Sequence, residues 1–259
     1  MANINGSLYD ELISRNWAFI NPELQSAIKK TRLFFAGCGL GSTIAELAAR
    51  TGFTDFLLAD GDIVEMSNLN RQAFSLDHLG VNKAVATKAI IKAINPRARV
   101  RIFKKYIKPK DVPTLMKGIN FIVNTVDFSE AYANLTAEAQ KKNSLAILPF
   151  NIGYGSVILV YDSRTPKITD MFQNKIIRSD VDFYSSLLES LRDYRLPLYL
   201  KKSLKSIFID IQKKKFNPQI GIASNITAAI TITAILKSLS GIELPRAPIP
   251  IYRDFFSHE

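Results

Sequence analysis

A short stretch directly after an apolar run at residues 56–59 concentrates acidic, amide and cationic side chains. In order, it contains Asp60, Asp62, Asn68, Arg71 and Gln72. A carboxylate at the end of a strand can bind ribose hydroxyls. An arginine three residues beyond an asparagine can share one face of a helical turn with it and point at phosphate. Further along, Lys83 opens an Ala- and Ile-rich helical pattern, and together these groups suit a nucleoside triphosphate better than a dinucleotide.

A glycine-rich segment stands between a predicted strand and a predicted helix. It contains Gly37, Gly39, Gly41 and Ser42. Backbone N–H groups at the start of a helix favour anions, and Asp60 follows at about the 20-residue offset expected of a ribose-binding acid. The dinucleotide pattern G-x-G-x-x-G fails because its last position is Ser42, which we expect to cap the helix. We predict a nucleotide-binding loop; a tight strand–helix turn without a ligand is the alternative.

Composition restricts the class of protein. The chain has 259 residues, of which 47% are hydrophobic, and this predicts a substantial core. Its formal charge of +11 favours acidic partners such as nucleotide phosphates, an acidic protein or RNA. The single cysteine, Cys38, leaves no internal disulfide and no cysteine-based zinc cluster, so we expect no structural zinc. We interpret Cys38 as a small loop residue, with a reactive thiolate as the alternative.

The predicted cellular setting is cytoplasmic. The first eleven residues lack a basic-then-apolar signal pattern. The apolar segment at residues 221–241 carries an asparagine, several serines and threonines, and Lys237. We therefore expect a buried helix there rather than a membrane span, and no membrane association.

Apolar strands alternate with amphipathic helices from residue 32 onwards. Strands are predicted at residues 33–36, 55–59, 100–104, 121–124 and 145–148. Helices are predicted at residues 42–50, 83–93, 112–117 and 130–142. This alternation predicts an α/β fold with a Rossmann-like, mostly parallel sheet and helices on both faces.

The alternation ends after residue 149, where a mixed C-terminal part begins. It contains a further strand at 156–161, polar amphipathic segments at 182–193 and 198–212, an apolar helix at 222–239 and a proline-punctuated tail. We predict a single domain over residues 1–259. Its parts are a nucleotide-binding core at 14–160, a helical insertion at 163–217 and a core helix that returns at 221–241.

The ordered series of motifs resembles the ThiF/MoeB/HesA family, the relatives of ubiquitin-activating enzymes. The matching segments are A-G-C-G-L-G-S (36–42), L-A-D-G-D (58–62), S-N-L-N-R-Q (67–72), G-V-N-K (80–83), I-N-P (94–96), V-D (126–127) and, upstream, S-R-N (14–16). The resemblance covers residues 14 to about 160. This sequence has one glycine fewer in the loop than the family's G-x-G-G-x-G, and it lacks the paired C-x-x-C zinc ligands and a separate thioester cysteine.

The resemblance implies an enzyme that uses ATP and Mg²⁺ to adenylate a carboxylate. That carboxylate is usually the C-terminal glycine of a small ubiquitin-like or sulfur-carrier protein. By resemblance, Asp60 would hold the ribose, and Asp127 would lie by the magnesium ion. The triphosphate would be contacted by Asn68, Arg71 and Lys83. Arg15 would reach across a homodimer into the partner's site.

The chemistry of such a reaction explains the residue types. A carboxylate oxygen attacks the α-phosphorus of ATP while pyrophosphate departs. A C-terminal carboxylate, with a reference pKa of about 3.3–3.7, is already ionised near neutrality and needs no general base. The obstacle is to bring an anion to a polyanion, and cations such as Arg71, Lys83, Arg15 of a second copy and Mg²⁺ overcome it.

Several alternatives stay open at this point. By resemblance, the acceptor would be a small acidic carrier protein or a peptide. It could also be a tRNA, since one branch of the family, the tRNA threonylcarbamoyladenosine dehydratases, adenylates a carboxylate on tRNA. An NAD-dependent oxidoreductase is a second class, although the broken glycine pattern argues against it. A catalytically silent partner subunit is a third.

Overall fold

The computed structural model describes residues 7–168, 196–203 and 218–256, together with residues 170, 182, 187 and 191. In this part of the chain one sheet has the strand order β3-β2-β1-β4-β5-β6-β7. Its strands are β1 (Arg32–Ala36), β2 (Asp55–Ala59), β3 (Arg99–Phe103), β4 (Phe121–Asn124), β5 (Leu145–Ile152), β6 (Gly155–Tyr161) and β7 (Ile251–Asp254). Neighbouring strands are parallel from β3 to β5, and β6 and β7 are antiparallel additions. This confirms the predicted fold class, a Rossmann-like and mostly parallel α/β sheet.

The described helices begin and end at residues that suit helix termini. They are α1 (Leu8–Leu12), α2 (Pro22–Lys30), α3 (Leu40–Thr51), α4 (Lys83–Ile94), α5 (Val112–Leu115), α6 (Glu130–Lys141) and α7 (Gly221–Leu239). The side chain of Asn82 caps α4 by accepting hydrogen bonds from two backbone N–H groups of its first turn. Gly52 ends α3 in the left-handed conformation that favours glycine.

Helices cover both faces of the sheet. The alternation of β1 directs Leu33 and Phe35 into one core, with α3, α4 and α7, and Phe34 into the other, with α5 and α6. These three side chains are fully buried. Each such side chain contributes about 1.5–3 kcal/mol to folding, so the two cores hold the strand ends, and the loops that follow them, in place.

Helix α7 is long and apolar enough to cross a membrane by length and composition alone. In the structure it packs against α3, β5 and β6. Ala228, Ile232 and Ile235 are buried in the core on that face of the sheet. Its apolar composition is therefore used to cover the sheet.

The C-terminal part differs from the sequence-based prediction at two strands. β5 extends to Ile152 because its last residues pair with β6 in an antiparallel hairpin. β7 lies in the proline-punctuated tail, where the sequence predicts no strand. It forms because β6 would otherwise present an open edge with unpaired backbone groups, and residues 251–254 pair with that edge.

The predicted helical insertion at 163–217 lies largely outside the described residues. The same holds for its amphipathic segments at 182–193 and 198–212. The described stretch 198–203 is helical.

Candidate active site

A cavity of about 500 Å³ opens at the carboxyl ends of the parallel strands. It lies where the chain order of the sheet reverses between β1 and β4, the position at which parallel α/β sheets bind ligands. Its volume is within the usual range for small-ligand sites. The predicted site residues that line it are Gly37, Gly39, Asp60, Asp62, Asn68, Arg71, Gln72, Lys83 and Asp127. The fold thus brings predicted site residues from five separate segments of the sequence together at one cavity.

Close packing explains two of the glycines. Gly37 has a φ of +90°, and a Cβ atom there would lie 2.7 Å from the backbone of Thr125. At Gly41 a Cβ atom would lie 3.2 Å from the Thr125 hydroxyl oxygen, so this glycine lets α3 approach the end of β4. Gly41 itself does not line the cavity, and its contribution is helix–strand packing.

Ser42 does not cap the helix, and that prediction was wrong. Helix α3 begins at Leu40, so Ser42 lies inside its first turn and is fully buried. Its hydroxyl donates to the carbonyl oxygen of Gly39 at 2.7 Å and accepts from the N–H of Ala73 at 3.1 Å. Ser42 therefore ties the glycine-rich loop to the segment that carries Arg71, and it does not line the cavity.

The carboxylate of Asp60 is fixed by backbone donors. It accepts hydrogen bonds from the N–H of Cys38 at 2.7 Å and of Asp62 at 2.8 Å. Burial raises the pKa of Asp60, against the opposing effects of these bonds and of Lys83. The neighbouring Cys38 thiol is fully buried, and burial together with the charge of Asp60 holds its pKa well above the ordinary value. This environment disfavours a thiolate and favours the interpretation of Cys38 as a small loop residue.

Lys83 and Asp62 form an ion pair inside the cavity. The Lys83 Nζ lies 3.2 Å from Asp62 Oδ2, and the lysine side chain is only 11% exposed. The Tyr106 hydroxyl donates to Asp62 Oδ1 at 2.5 Å. Burial acts to raise the pKa of Asp62, but the hydrogen bond from Tyr106 and the charge of Lys83 outweigh it and lower that pKa. Asp62 is therefore ionised at neutral pH and holds the ammonium group at the cavity wall.

Arg71 is held by neutral oxygen atoms. Its Nε donates to Gln219 Oε1 at 3.0 Å, and one terminal nitrogen donates to the Ser67 carbonyl and to Asn70 Oδ1, each at 2.8 Å. Burial lowers the pKa of Arg71, although a guanidinium remains protonated in proteins. No carboxylate of the described residues forms an ion pair with it. A half-buried cation with only neutral partners is suited to bind an anion.

The turn that follows β2 places the remaining amides. Asn68 Oδ1 accepts from the N–H of Glu65 at 3.0 Å, and its backbone carbonyl accepts from Arg71 and Gln72. This turn places the side chains of Asn68, Arg71 and Gln72 along the cavity. Within the described part of the chain, the buried Oε1 of Gln72 has no hydrogen-bond partner. Its amide packs against Gly39, where a Cβ atom would lie 3.2 Å from Gln72 Nε2.

Asp127 is exposed and lines the cavity just beyond β4. Ser129 rather than Asp127 caps α6, since its side chain accepts from the N–H of Tyr132 at 3.2 Å. No group of three or more His, Cys, Asp and Glu side chains in the described ranges is arranged to hold a metal ion. Mg²⁺ usually binds through one or two carboxylates together with substrate phosphates and water. A single carboxylate beside a polyphosphate would therefore fit such an ion.

Arg15 is exposed and remote from the cavity of its own chain. The neighbouring Asn16 donates to the carbonyl of Thr51, at the C-terminal end of α3. Leu40, at the other end of that helix, lines the cavity. A helix of 12 residues separates the two ends by about 18 Å. Within one chain, the structure does not bring Arg15 to the predicted site.

Sequence analysis missed several residues that line the cavity. They are Lys105, Tyr106, Thr125, Asn151 and Gln219. The first three directly follow the ends of β3 and β4, and that position is the signal that could have identified them. Asn151 fixes α7 through hydrogen bonds with Ser224 and Thr227, each 2.8 Å long. Gln219 has no sequence signal, since it lies 148 residues from its partner Arg71.

The strand order and the position of the cavity define a Rossmann-like α/β protein with a cavity at the switch point of the sheet. A family model described as the ThiF family matches residues 11–255. The chain belongs to the ThiF family.

Curated relatives match part of the chain. The tRNA threonylcarbamoyladenosine dehydratase of Escherichia coli (strain K12) is 34% identical over 105 residues, which are 40% of this chain and 39% of that protein. The SAMP-activating enzyme E1 of Haloferax volcanii is 28% identical over 110 residues, 42% of this chain and 41% of that protein. These alignments span about two fifths of each relative's length.

Solved structures share the fold over most of the chain. PaaA superposes with a TM-score of 0.66 at 20% identity, over 99% of this chain and 86% of that chain. E. coli MccB with ATP gives 0.65 at 19% identity, over 92% and 66%. The E. coli tRNA N6-threonylcarbamoyladenosine dehydratase in complex with AMP gives 0.65 at 19% identity, over 93% and 98%. At these identities the likeness shows a common fold.

Proposed function

We propose that the protein is an ATP-dependent adenylyltransferase that converts a carboxylate into an acyl-adenylate and releases pyrophosphate. The observation that carries this proposal is that Asp60, Arg71 and Lys83 line one cavity at the switch point of the sheet. Membership of the ThiF family supports it. The relatives named above include a SAMP-activating enzyme, and the structural neighbours include MccB with ATP.

The proposed binding mode follows from the chemistry of the lining groups. Two backbone N–H groups hold the Asp60 carboxylate in place. Its remaining lone pairs would accept hydrogen bonds from the ribose hydroxyls. The phosphate chain would lie along Asn68, Arg71 and Lys83, because their amide and cationic groups line the cavity and can donate hydrogen bonds to phosphate oxygens. Asp127 would hold a Mg²⁺ ion, and that ion would neutralise part of the phosphate charge.

The reaction needs no group on the protein to activate the nucleophile. The acceptor carboxylate oxygen forms a bond to the α-phosphorus, the bond from that phosphorus to the bridging oxygen breaks, and pyrophosphate leaves with the electron pair. No proton moves in this step, because the carboxylate is ionised at neutral pH. The protein's contribution is to position both anions and to stabilise the departing charge through Arg71 and Lys83.

We propose a homodimer in which Arg15 completes the site of the second copy. Arg15 lies at the far end of α3 from its own cavity, so it can act only in another chain's site. Trp17 and Phe19, two residues and four residues further on, are 79% and 92% exposed. Large exposed aromatics of this kind are typical of surfaces that a protein partner covers.

Mixing of variants tests this arrangement. Arg15→Ala and Lys83→Met are each expected to be inactive as homodimers. A hybrid dimer has one site with both residues intact, so an equimolar re-associated mixture recovers about a quarter of wild-type activity. No recovery in a mixture that forms hybrids would contradict the trans role of Arg15.

The preferred acceptor is the C-terminal carboxylate of a small acidic protein or of a peptide. The net charge of +11 favours an acidic partner. A carboxylate on tRNA is the second candidate, and the 34% identity to a tRNA threonylcarbamoyladenosine dehydratase favours it. We propose a cytoplasmic setting, where ATP and either acceptor occur.

Exchange of labelled pyrophosphate into ATP tests the proposed reaction. The assay is run with three acceptors: small proteins ending in Gly-Gly, carboxylate peptides, and tRNA that carries a carboxylate. An accepted substrate supports exchange in the wild type, and Arg71→Ala and Lys83→Met abolish it. Lys88→Met, on the same helix as Lys83 but outside the cavity lining, is the matched control and retains exchange. Exchange that survives both cavity substitutions would refute the assignment of the site.

A further inference from the structure

Gln219 contacts Arg71, although 148 residues separate the two in the sequence. Its Oε1 accepts a hydrogen bond from Arg71 Nε at 3.0 Å, and both side chains line the cavity. The guanidinium is planar and carries its donors in a fixed fork. Fixing Nε and one terminal nitrogen therefore fixes the direction in which the remaining donors of Arg71 point.

The entry to α7 is packed against the same turn. The Asn70 side chain donates from Nδ2 to the backbone carbonyl of Gln219 at 3.1 Å, and its Oδ1 accepts from Arg71. At Gly221 a Cβ atom would lie 2.7 Å from the carbonyl oxygen of Asn70, so the two backbones are in direct contact. Gln219 is thus anchored by its main chain and presents its side chain to Arg71 from a fixed position.

Gln219 is neutral, so it binds Arg71 without compensating the charge of the guanidinium. A glutamate has the same shape and would place an oxygen at the position of Oε1, but it would form a charge-assisted pair with Arg71. Such bonds are roughly twice as strong as neutral ones and would cancel the charge of the guanidinium. An amide orients the arginine and leaves its positive charge available to an anion in the cavity. Gln219 Nε2 has no hydrogen-bond partner among the described residues, so only the carbonyl oxygen of this amide is used.

We infer that Gln219 is a positioning residue that orients Arg71 toward a polyphosphate while keeping its charge uncompensated. The inference rests on the proposed function, because it assumes that Arg71 contacts the phosphates of ATP. It extends the site to the point at which the chain enters α7.

Titration calorimetry with Mg·ATP, and with AMP as a probe that carries one phosphate, tests the inference. Gln219→Glu is expected to weaken Mg·ATP binding at least about tenfold and AMP binding much less, because the arginine charge acts on the longer phosphate chain. Gln219→Leu, which removes the acceptor without adding charge, is expected to weaken Mg·ATP about threefold. Asn134→Asp makes the same charge change on α6 outside the cavity lining, and it leaves both affinities unchanged.

A double variant separates an effect through Arg71 from a general disturbance of the site. In an Arg71→Ala background, Gln219→Leu is expected to cause no further loss of Mg·ATP affinity, since its target has been removed. A further loss there, or wild-type Mg·ATP affinity in Gln219→Glu when Arg71→Ala is weakened, would overturn the inference and leave the proposed function standing. Absence of Mg·ATP binding by the wild type would overturn both. Melting temperatures near that of the wild type establish that each variant is folded.

Discussion

The ammonium group of Lys83 lies 3.2 Å from the Asp62 carboxylate, so this cation of the cavity is compensated before any ligand arrives. Arg71 differs, because its described partners are neutral oxygens. Of these two cations, a polyphosphate entering the cavity would share Lys83 with a carboxylate, whereas no carboxylate of the described residues compensates Arg71. The two cations are expected to respond differently to substitution.

Lys83→Met is expected to weaken Mg·ATP binding by more than Arg71→Ala does. Loss of Lys83 removes a cation and also leaves Asp62 uncompensated beside the incoming phosphates. Loss of Arg71 leaves no carboxylate of the described residues without an ion-pair partner. Adding Asp62→Asn to Lys83→Met removes that repulsion and is expected to restore several-fold of the affinity. Titration calorimetry of the three variants measures this, and a double variant no tighter than Lys83→Met would contradict the explanation.

Tyr106→Phe is expected to raise the pKa of Asp62. In the wild type, burial acts to raise this pKa, but the hydrogen bond from the Tyr106 hydroxyl and the charge of Lys83 lower it below its ordinary value. Without the hydroxyl, the Asp62–Lys83 pair would break at a higher pH than in the wild type as the solution is acidified. Carboxyl-carbon NMR of Asp62 as a function of pH measures the change. Tyr9→Phe is the control and should leave this titration unaltered, because Tyr9 lies in α1 and its hydroxyl donates to the Gly52 carbonyl, away from the cavity.

Acid stability is expected to depend on Asp162, which follows β6. Burial acts to raise its pKa, but Arg164 and Arg246 outweigh burial and lower the pKa to about 2. Because the folded-state pKa is depressed below the ordinary 3.8, the stabilisation is present above about pH 4 and is lost as the pH falls toward 2. Asp162→Asn is therefore expected to cost about 1–2 kcal/mol of unfolding free energy at neutral pH.

The loss of unfolding free energy in Asp162→Asn is expected to depend on pH. Its deficit should shrink as the pH falls through 4 and be small at about pH 2, where half of the wild-type carboxylate is protonated as well. Urea unfolding at several pH values measures both curves. A deficit that stays constant down to pH 2 would show that the ion pair with Arg246, whose Nε lies 2.6 Å from Asp162 Oδ2, is not its source.

Gly221→Ala is expected to destabilise the protein by about 1–3 kcal/mol and to weaken Mg·ATP binding. The new Cβ atom would lie 2.7 Å from the Asn70 carbonyl oxygen, so the first turn of α7 or the Asn70–Arg71 turn must shift. Thr233→Ala, at an exposed position of the same helix, is the control. Thermal unfolding and calorimetry on both variants check this, and wild-type values for Gly221→Ala would mean that the contact is not needed.

Much of the fold could be predicted because local patterns and long-range contacts agree in the first 150 residues. The central strands β1, β2 and β4 are short, largely apolar runs followed by loops. The register of β1 with β2 and β4 places these runs side by side. β7 could not be predicted, because residues 251–254 carry a tyrosine, an arginine and an aspartate after three prolines. They form a strand only because β6 offers an edge.

Some residues of the candidate site could likewise be predicted from the sequence, and others could not. Asp60, Arg71 and Lys83 could be identified because they lie in motifs with fixed local spacing, and the fold then gathers these motifs at one edge of the sheet. The role of Ser42 was mispredicted because the helix start moved by two residues, which buried the hydroxyl. Gln219 could not be found, since its contact with Arg71 depends on where α7 returns to the sheet.

Calorimetric titration of the wild-type chain with Mg·ATP, and separately with NAD, tests whether the cavity is an ATP site. We predict saturable binding of one Mg·ATP per chain, loss of that binding when Arg71 and Lys83 are replaced together by alanine and methionine, and no comparable binding of NAD. Binding of NAD in preference to Mg·ATP, or Mg·ATP binding that the double replacement leaves unchanged, would contradict it.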